Sequence, residues 1–240
     1  MGSFYNVVGY RLPKGESIVF PGSHCPKCNH KLTPIELIPV FSYLIQRGKC
    51  KHCKKKIASF YPIIELSTGI LFAVSFYSFK FKPNLFISLI LVSLLMIIIV
   101  SDLNYFIIPD SILIISSILI LLIRGLSNGP MDVLKSLGGG IFLFLVMYII
   151  MLLGNALFKK ESLGGGDIKL MFVGGLVLHP LLGLFSIFLS SLFALIPSIF
   201  LYFKNKEHVI PFGPFILFAI IILFLMKIDI NDIYTYLNMI

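Results

Sequence analysis

NLFISLILVSLLMIIIVSDL, residues 84–103, decides the fold. A helix needs roughly 20 apolar residues to cross the hydrocarbon layer of a bilayer. This stretch supplies them, and its single charge, Asp102, comes at the very end. Comparable runs flank it on both sides. Spans are predicted at about 62–79, 84–103, 109–127, 133–157, 167–178, 180–203 and 209–227. Breakers separate them: Lys80–Pro83, Asn104–Pro109, Ser127–Pro130, Lys159–Gly166, His179–Pro180 and Lys204–His208. The run at 167–178 is short and contains glycines, which fits a half-helix or a tilted one. The chain therefore reads as an all-α, polytopic membrane protein with about seven transmembrane helices.

Composition agrees. Of 240 residues, 58% are hydrophobic and only 13% charged, with a mean hydropathy of +0.98. A soluble domain carries about a quarter charged residues, so no single water-soluble core could hide this much apolar surface.

The net charge of +9 is unevenly placed. Residues 1–60 hold ten Lys/Arg against Glu16 and Glu36, a balance of +8; the remaining residues hold ten basic and nine acidic side chains, a balance of +1. Such a basic segment can bind nucleic acid, but beside membrane spans it reads more simply as cytosolic, because basic loops stay inside. No nucleic-acid partner is expected. Two domains follow: a cytosolic segment over 1–60 and a transmembrane domain over 61–240. Alternating the spans from an inner N-terminus puts Lys159-Lys160, Lys204 and Lys206 inside as well, and Lys80 and Lys82 outside. Asp102 and Asp167 then fall at inner ends of spans.

The cytosolic segment carries all four cysteines, as Cys25-Pro-Lys-Cys28 and Cys50-Lys-His-Cys53 with 21 residues between the pairs. Two turns each presenting a pair of thiolates complete a tetrahedral zinc shell. Disulfides are disfavoured in the cytosol, and dithiol redox chemistry is the remaining alternative. Four protein ligands leave no open position, so this Zn²⁺ is expected to be structural. His24, His30 and His52 are read as bystanders.

Ionisable groups near spans are costly and few. Asp102 closes one span, Asp110 opens the next after Pro109, and Asp167 follows Gly164-Gly165-Gly166. Asp102 can simply end a helix at the interface, and Asp167 can cap one. Asp110 is read mainly as a helix-start residue satisfying first-turn N–H groups. The three glycines permit close backbone approach and positive φ, which suits an extended substrate lying against the loop. Two carboxylates on one membrane face are also the parts of an aspartyl-protease dyad, in which one proton is shared. Spacing alone does not bring Asp102 and Asp167 together.

Taken in order, several stretches resemble the type IV prepilin peptidases, membrane aspartyl proteases with a Gly-x-Gly-Asp motif. They are Gly2-Ser3-Phe4-Tyr5-Asn6-Val7-Val8 with Tyr10-Arg11-Leu12-Pro13, the paired cysteines, Leu37-Ile38-Pro39-Val40-Phe41-Ser42-Tyr43-Leu44, and Arg47-Gly48-Lys49-Cys50. Tyr61-Pro62-Ile63-Ile64-Glu65-Leu66, Asp102 with Ile108-Pro109-Asp110, and Gly164-Gly165-Gly166-Asp167-Ile168-Lys169 complete the set. The resemblance runs from residue 2 to about residue 215. It implies an enzyme of the cytoplasmic membrane that removes the short basic leader of prepilins or pseudopilins on the cytosolic side. The same enzyme would then methylate the new N-terminal residue with S-adenosylmethionine. Asp102 and Asp167 match the catalytic aspartates; Cys25, Cys28, Cys50 and Cys53 match the zinc cysteines; Gly48 lies in the stretch associated with the methyltransferase half. Family members usually carry a further span ahead of the Gly-Ser-Phe motif, eight in all; this sequence starts at that motif, so seven are expected. The Leu-Ile-Pro-Val-Phe-Ser-Tyr form resembles members serving competence pili of Gram-positive bacteria. Two other classes compete. A non-catalytic membrane adaptor would need the cysteines but not the aspartates. A small transporter would place its carboxylates in mid-bilayer rather than at span ends.

Overall fold

In a computed structural model the chain is described over residues 1–159, 163–203 and 210–228. Among these residues it is helical, with no strand beyond two isolated bridges. Helix α1 is Gly2–Arg11 and the short α2 is Phe41–Ile45. The longer helices follow: α3 Phe60–Phe79, α4 Pro83–Tyr105, α5 Asp110–Asn128, α6 Pro130–Phe158, α7 Gly165–Val177, α8 Pro180–Phe203 and α9 Gly213–Leu225. Pro83, Pro130 and Pro180 stand first in their helices, where the missing N–H costs nothing. Phe106 and Lys159 close α4 and α6 in the left-handed conformation, at φ 55° and 52°.

Five of these helices, α3, α4, α5, α6 and α8, are long and apolar enough to cross a membrane. The chain is a multi-pass membrane protein. The other two are short: α7 is the half-length helix expected at 167–178, and α9 is shorter than the run at 209–227, of which residue 209 lies outside the described residues. α7 and α9 have 13 residues each, about 20 Å of helix against a hydrocarbon layer of about 30 Å. The basic positions Lys160, Lys204 and Lys206, on which the inner orientation partly rests, lie outside the described residues.

The helices form layers around α4. Its residues Leu91, Val92, Ile98 and Val100 have no exposed surface, and it packs against α1, α3, α5 and α9. α7 is the second buried element, held among α5, α6, α8 and α9. The outer helices turn apolar side chains outward: Ile141, Leu145, Ile149 and Leu153 make an exposed stripe along α6. Lipid is the solvent that makes such a stripe stable.

In lipid, apolar burial no longer drives helix association, so small residues and interhelical hydrogen bonds do more of the work. A Cβ on Gly139 of α6 would stand 2.6 Å from the carbonyl oxygen of Gly175 in α7, so the two backbones touch. Ser88 of α4 donates to Ser75 of α3 at 2.8 Å, and Tyr5 of α1 meets Ser93 of α4 at 2.7 Å. Arg124, near the end of α5, donates to Asp132 at 2.9 Å and to the Val177 carbonyl at 2.8 Å. A cation thereby meets the negative end of the α7 dipole.

Although α1 belongs to the basic first sixty residues, it is no free cytosolic segment. Tyr5, Asn6, Val8 and Gly9 are buried, and a Cβ on Gly9 would meet Val100 Cβ at 2.5 Å.

Candidate active site

Asp102 ends a buried run of α4, and Asp167 is the third residue of α7. They are 65 positions apart in sequence. In the fold they border one small region: Ile108 packs on Gly166, next to Asp167, and on Gly213, which stands against Asp102. Both are enclosed, at 6% and 9% exposure. Gly213, first residue of α9, stands against Asp102, where a Cβ would lie 3.1 Å from Oδ2, and Gly164 stands against Asp167, where a Cβ would lie 3.2 Å from Oδ2. Three helices therefore converge on the pair.

What brings them together is Ile108, in the connection between α4 and α5. A Cβ on Gly166 would lie 3.0 Å from Ile108 Cβ, and one on Gly213 would lie 2.7 Å from Ile108 Cδ1 and 3.1 Å from Asp102 Oδ2. Gly166 thus allows the close approach expected of the glycine run. The expected positive φ is not used: Gly164 sits at φ −71°, and Gly165 and Gly166 are already helical. Among the described residues nothing lies within 4 Å of a Cβ built on Gly165.

Asp110 opens α5 directly after Pro109, as expected of a helix-start residue. It also pairs with Lys169, 2.8 Å from each carboxylate oxygen, two residues beyond Asp167. The Lys169 pairing and the Gly213 lid were not anticipated. Gly213 did carry a signal, since Pro211 and Pro214 flank it just before an apolar run.

The four cysteines converge. Cys25 and Cys53 Sγ are 3.9 Å apart, Cys28 and Cys50 Sγ 4.0 Å, and all four sulfurs lie within 4.8 Å of one another. None is in a disulfide. Tetrahedral zinc at about 2.3 Å from each sulfur requires sulfurs ~3.8 Å apart, so the cluster can hold a metal ion of that kind. Each pair sits on the same turn: Asn29 N–H donates to the Cys25 carbonyl and Lys54 N–H to the Cys50 carbonyl, both at 2.9 Å. Asn29 and Lys54 take φ of 54° and 59° to close these turns. The backbone N–H of Lys27 lowers the Cys25 thiol to about 6, whereas that of Cys28, despite the backbone N–H of His30, is raised to about 11 by burial and the other three cysteines, so a metal must displace the protons that remain. The His30 and His52 rings stack on each other 5.2 Å apart and contribute no ligand to the cluster.

Between this cysteine segment and helices α1 and α3 lies a cavity of about 350 Å³. Tyr10, Tyr43 and Tyr61 line it, with Asn6, Glu36 and Glu65. Gly48 takes φ +67°, and a Cβ there would stand 2.9 Å from the Tyr43 hydroxyl. Its part in the cavity wall is to let Tyr43 pack. Tyr10 reaches across to Tyr105, centroids 6.4 Å apart and edge to face. The cavity therefore adjoins the helix end that carries Asp102, one turn earlier.

The Bacterial Peptidase A24 N-terminal domain profile matches residues 1–79, and that of the Type IV leader peptidase family matches residues 89–199. A protein of Bacillus subtilis (strain 168) named prepilin leader peptidase/N-methyltransferase is 39% identical over 74% of this chain and 69% of its own length. Proteins of the same name from Pseudomonas aeruginosa and Vibrio cholerae are 32% and 31% identical, over 91% and 93% of this chain and 84% and 92% of theirs. No solved structure matches the chain. With both profiles matched in chain order and relatives covered over most of their length, the chain belongs to the type IV leader peptidase family.

Proposed function

We propose that this protein is a membrane aspartyl endopeptidase. It removes the basic leader of prepilin-like substrates at Asp102 and Asp167 and then methylates the new N-terminus. The observation that carries the reading is the convergence of two enclosed carboxyls from α4 and α7. Two such groups share one proton, because like charges so placed do not both ionise. The ionised carboxylate takes a proton from a water as the water oxygen attacks the scissile carbonyl carbon. The protonated carboxyl gives its proton to the carbonyl oxygen. Collapse of the tetrahedral species breaks the C–N bond, and the proton taken from water goes to the leaving amine. Among the described residues, Gly165 leaves an extended backbone room to approach.

The cysteine cluster holds Zn²⁺ in this reading. With four thiolate ligands the ion has no vacant position and serves to tie the two turns together. The cavity fits S-adenosylmethionine: aromatic walls from Tyr10, Tyr43 and Tyr61, and a buried acceptor, Glu36 Oε1, that has no protein partner. S-adenosylmethionine, when bound, supplies an electrophilic methyl group. Glu36 is placed to accept a hydroxyl hydrogen bond and the tyrosines to stack. Gly48 supports the site through Tyr43. The basic segment and the carboxyl pair face the cytosol in the cytoplasmic membrane, with lipid around the outer helices.

The test is leader cleavage in vesicles containing purified protein. Asp102→Asn and Asp167→Asn should each abolish it, and the double variant should be no worse than either single, since groups acting as a unit are non-additive. Substantial cleavage by a folded single variant refutes the dyad.

A further inference from the structure

We infer that Glu65 and Asn6 form the seat for the substrate's free N-terminal ammonium, with Glu65 as the group that takes its proton. The inference rests on the methyl-transfer reading and adds to it the residues that recognise the acceptor.

The free polar atoms on the floor of the cavity are acceptors. Asn6 is 4% exposed, and its Oδ1 is buried without a partner. Its amide nitrogen faces two carbonyls, Gly2 at 3.4 Å and Tyr61 at 3.5 Å, which fixes the oxygen on the other side. Glu65, from α3, lines the same cavity. One of its oxygens accepts the Val40 N–H at 2.8 Å. The Ser3 side chain is also near it, and the chain's own N-terminal ammonium lies in range of its charge but makes no ion pair with it within 4.0 Å. No Lys or Arg side chain forms an ion pair with it among the described residues. A buried carbonyl oxygen and a half-buried carboxylate call for a ligand that brings N–H donors and positive charge. Of the basic side chains of the cavity, Lys27, Lys55 and Lys56 are exposed and belong to the cysteine segment, and Arg11, at the end of α1, donates to the Ser17 carbonyl at 3.1 Å. Glu36, with its partnerless Oε1, belongs to that segment too.

Position selects which ammonium. Tyr10 lines the cavity between Tyr61 and Tyr105, and Tyr105 stands one turn beyond Asp102. A chain cut at the aspartates thus releases its new amine beside the α1–α3 floor. That amine is an ammonium at neutral pH and cannot accept a methyl group until it loses a proton. In the proposed step one N–H bond breaks, its electron pair stays on nitrogen, and the proton forms an O–H bond at Glu65. The amine is left neutral and the carboxylate becomes a carboxylic acid.

Full-length, metal-loaded protein in nanodiscs is titrated with a short soluble peptide bearing a free N-terminal Phe, and with its N-acetylated twin. The unmutated protein should bind the free amine at least about tenfold tighter, the worth of one charge-assisted hydrogen bond. Glu65→Gln, which keeps the Val40 contact, and Asn6→Leu should each bring that ratio near one. Because both peptides are compared on the same variant, any general effect of the substitution on the cavity cancels from the ratio; S-adenosylhomocysteine binding is read in parallel on the unmutated protein. Metal content and unfolding temperature check that each variant is folded. A ratio near one in the unmutated protein overturns the inference, as does a ratio that survives in both variants. Failure of the unmutated protein to bind S-adenosylhomocysteine overturns the methyl-transfer reading instead, and the amine comparison still decides the seat by itself.

Discussion

Lys169 Nζ lies 2.8 Å from both carboxylate oxygens of Asp110, clipping the start of α5 to α7 two residues past Asp167. The pair is half exposed, at 50% and 57% of side-chain surface. Exposed pairs contribute about 0–1 kcal/mol, so the clip orients the loop rather than holding the fold. Asp110→Asn and Lys169→Met should each slow leader cleavage by a few-fold, with the penalty shrinking at high salt as screening weakens the original pair. Rates measured at low and high ionic strength check this. A loss as complete as that of Asp102→Asn would put Asp110 into the chemistry.

Gly213 covers Asp102. A methyl group there would press on Ile108 Cδ1 at 2.7 Å and Asp102 Oδ2 at 3.1 Å, and would push the carboxyl out of place. Misplacing a reacting group by about 1 Å costs on the order of 10²-fold in rate. Gly213→Ala should therefore lower cleavage by about that factor while the protein still inserts. Initial rates on a prepilin substrate, normalised to folded protein in the membrane, measure it; a rate within twofold of the parent would contradict the packing described.

The cysteine cluster should bind about one Zn²⁺ per chain. Native mass spectrometry of the purified protein reads the metal, and Cys50→Ser with Cys53→Ser should abolish it. Chelation should loosen residues 23–57 without stopping cleavage within seconds, because Asp102 and Asp167 do not touch the cluster. Immediate loss of cleavage on chelation would point to a metalloprotease.

Glu36 gives the cavity wall a pH dependence. The Thr33 N–H at 2.9 Å and the Thr33 hydroxyl at 2.8 Å hold its carboxyl below its ordinary value of 4.5. A lowered folded pKa means stability present in full above the unfolded value and lost as pH falls through the lower folded one. Hydrogen exchange at the Glu36 amide, which bonds the Thr33 carbonyl at 3.0 Å, should therefore stay slow at pH 6. It should quicken, beyond the intrinsic pH effect, below about pH 4. Glu36→Gln should remove the transition; a transition that persists unchanged in that variant would assign it to another group.

Local pattern carried much of this protein. Apolar runs of span length, prolines at helix starts and two Cys-x-x-Cys turns are each read from neighbours in the chain, and each reappears in the structure. Periodicity could not report depth. The run at 167–178 reads as a half-helix and α7 is one, at 13 residues, whereas the run at 209–227 looks like a full span and α9 stops at 13. α7 is walled in because Gly139 and Gly175 let two backbones touch, a contact between segments 36 positions apart.

The site divides the same way. Residue type made Asp102 and Asp167 candidates, because a carboxyl at the end of a span is costly without a purpose. Their meeting was decided by Ile108 wedged between Gly166 and Gly213, which needs α4, α7 and α9 packed together. The same holds for the acceptors of the cavity. Asn6 and Glu65 lie in stretches the resemblance picks out, but only the docking of α1 and the cysteine turns onto α3 brings them and Glu36 to one enclosed space, with Asn6 Oδ1 and Glu36 Oε1 unpartnered among the described residues. Helix and turn preferences are local energies that a sequence states outright, whereas burial of a polar atom is a property of everything that surrounds it.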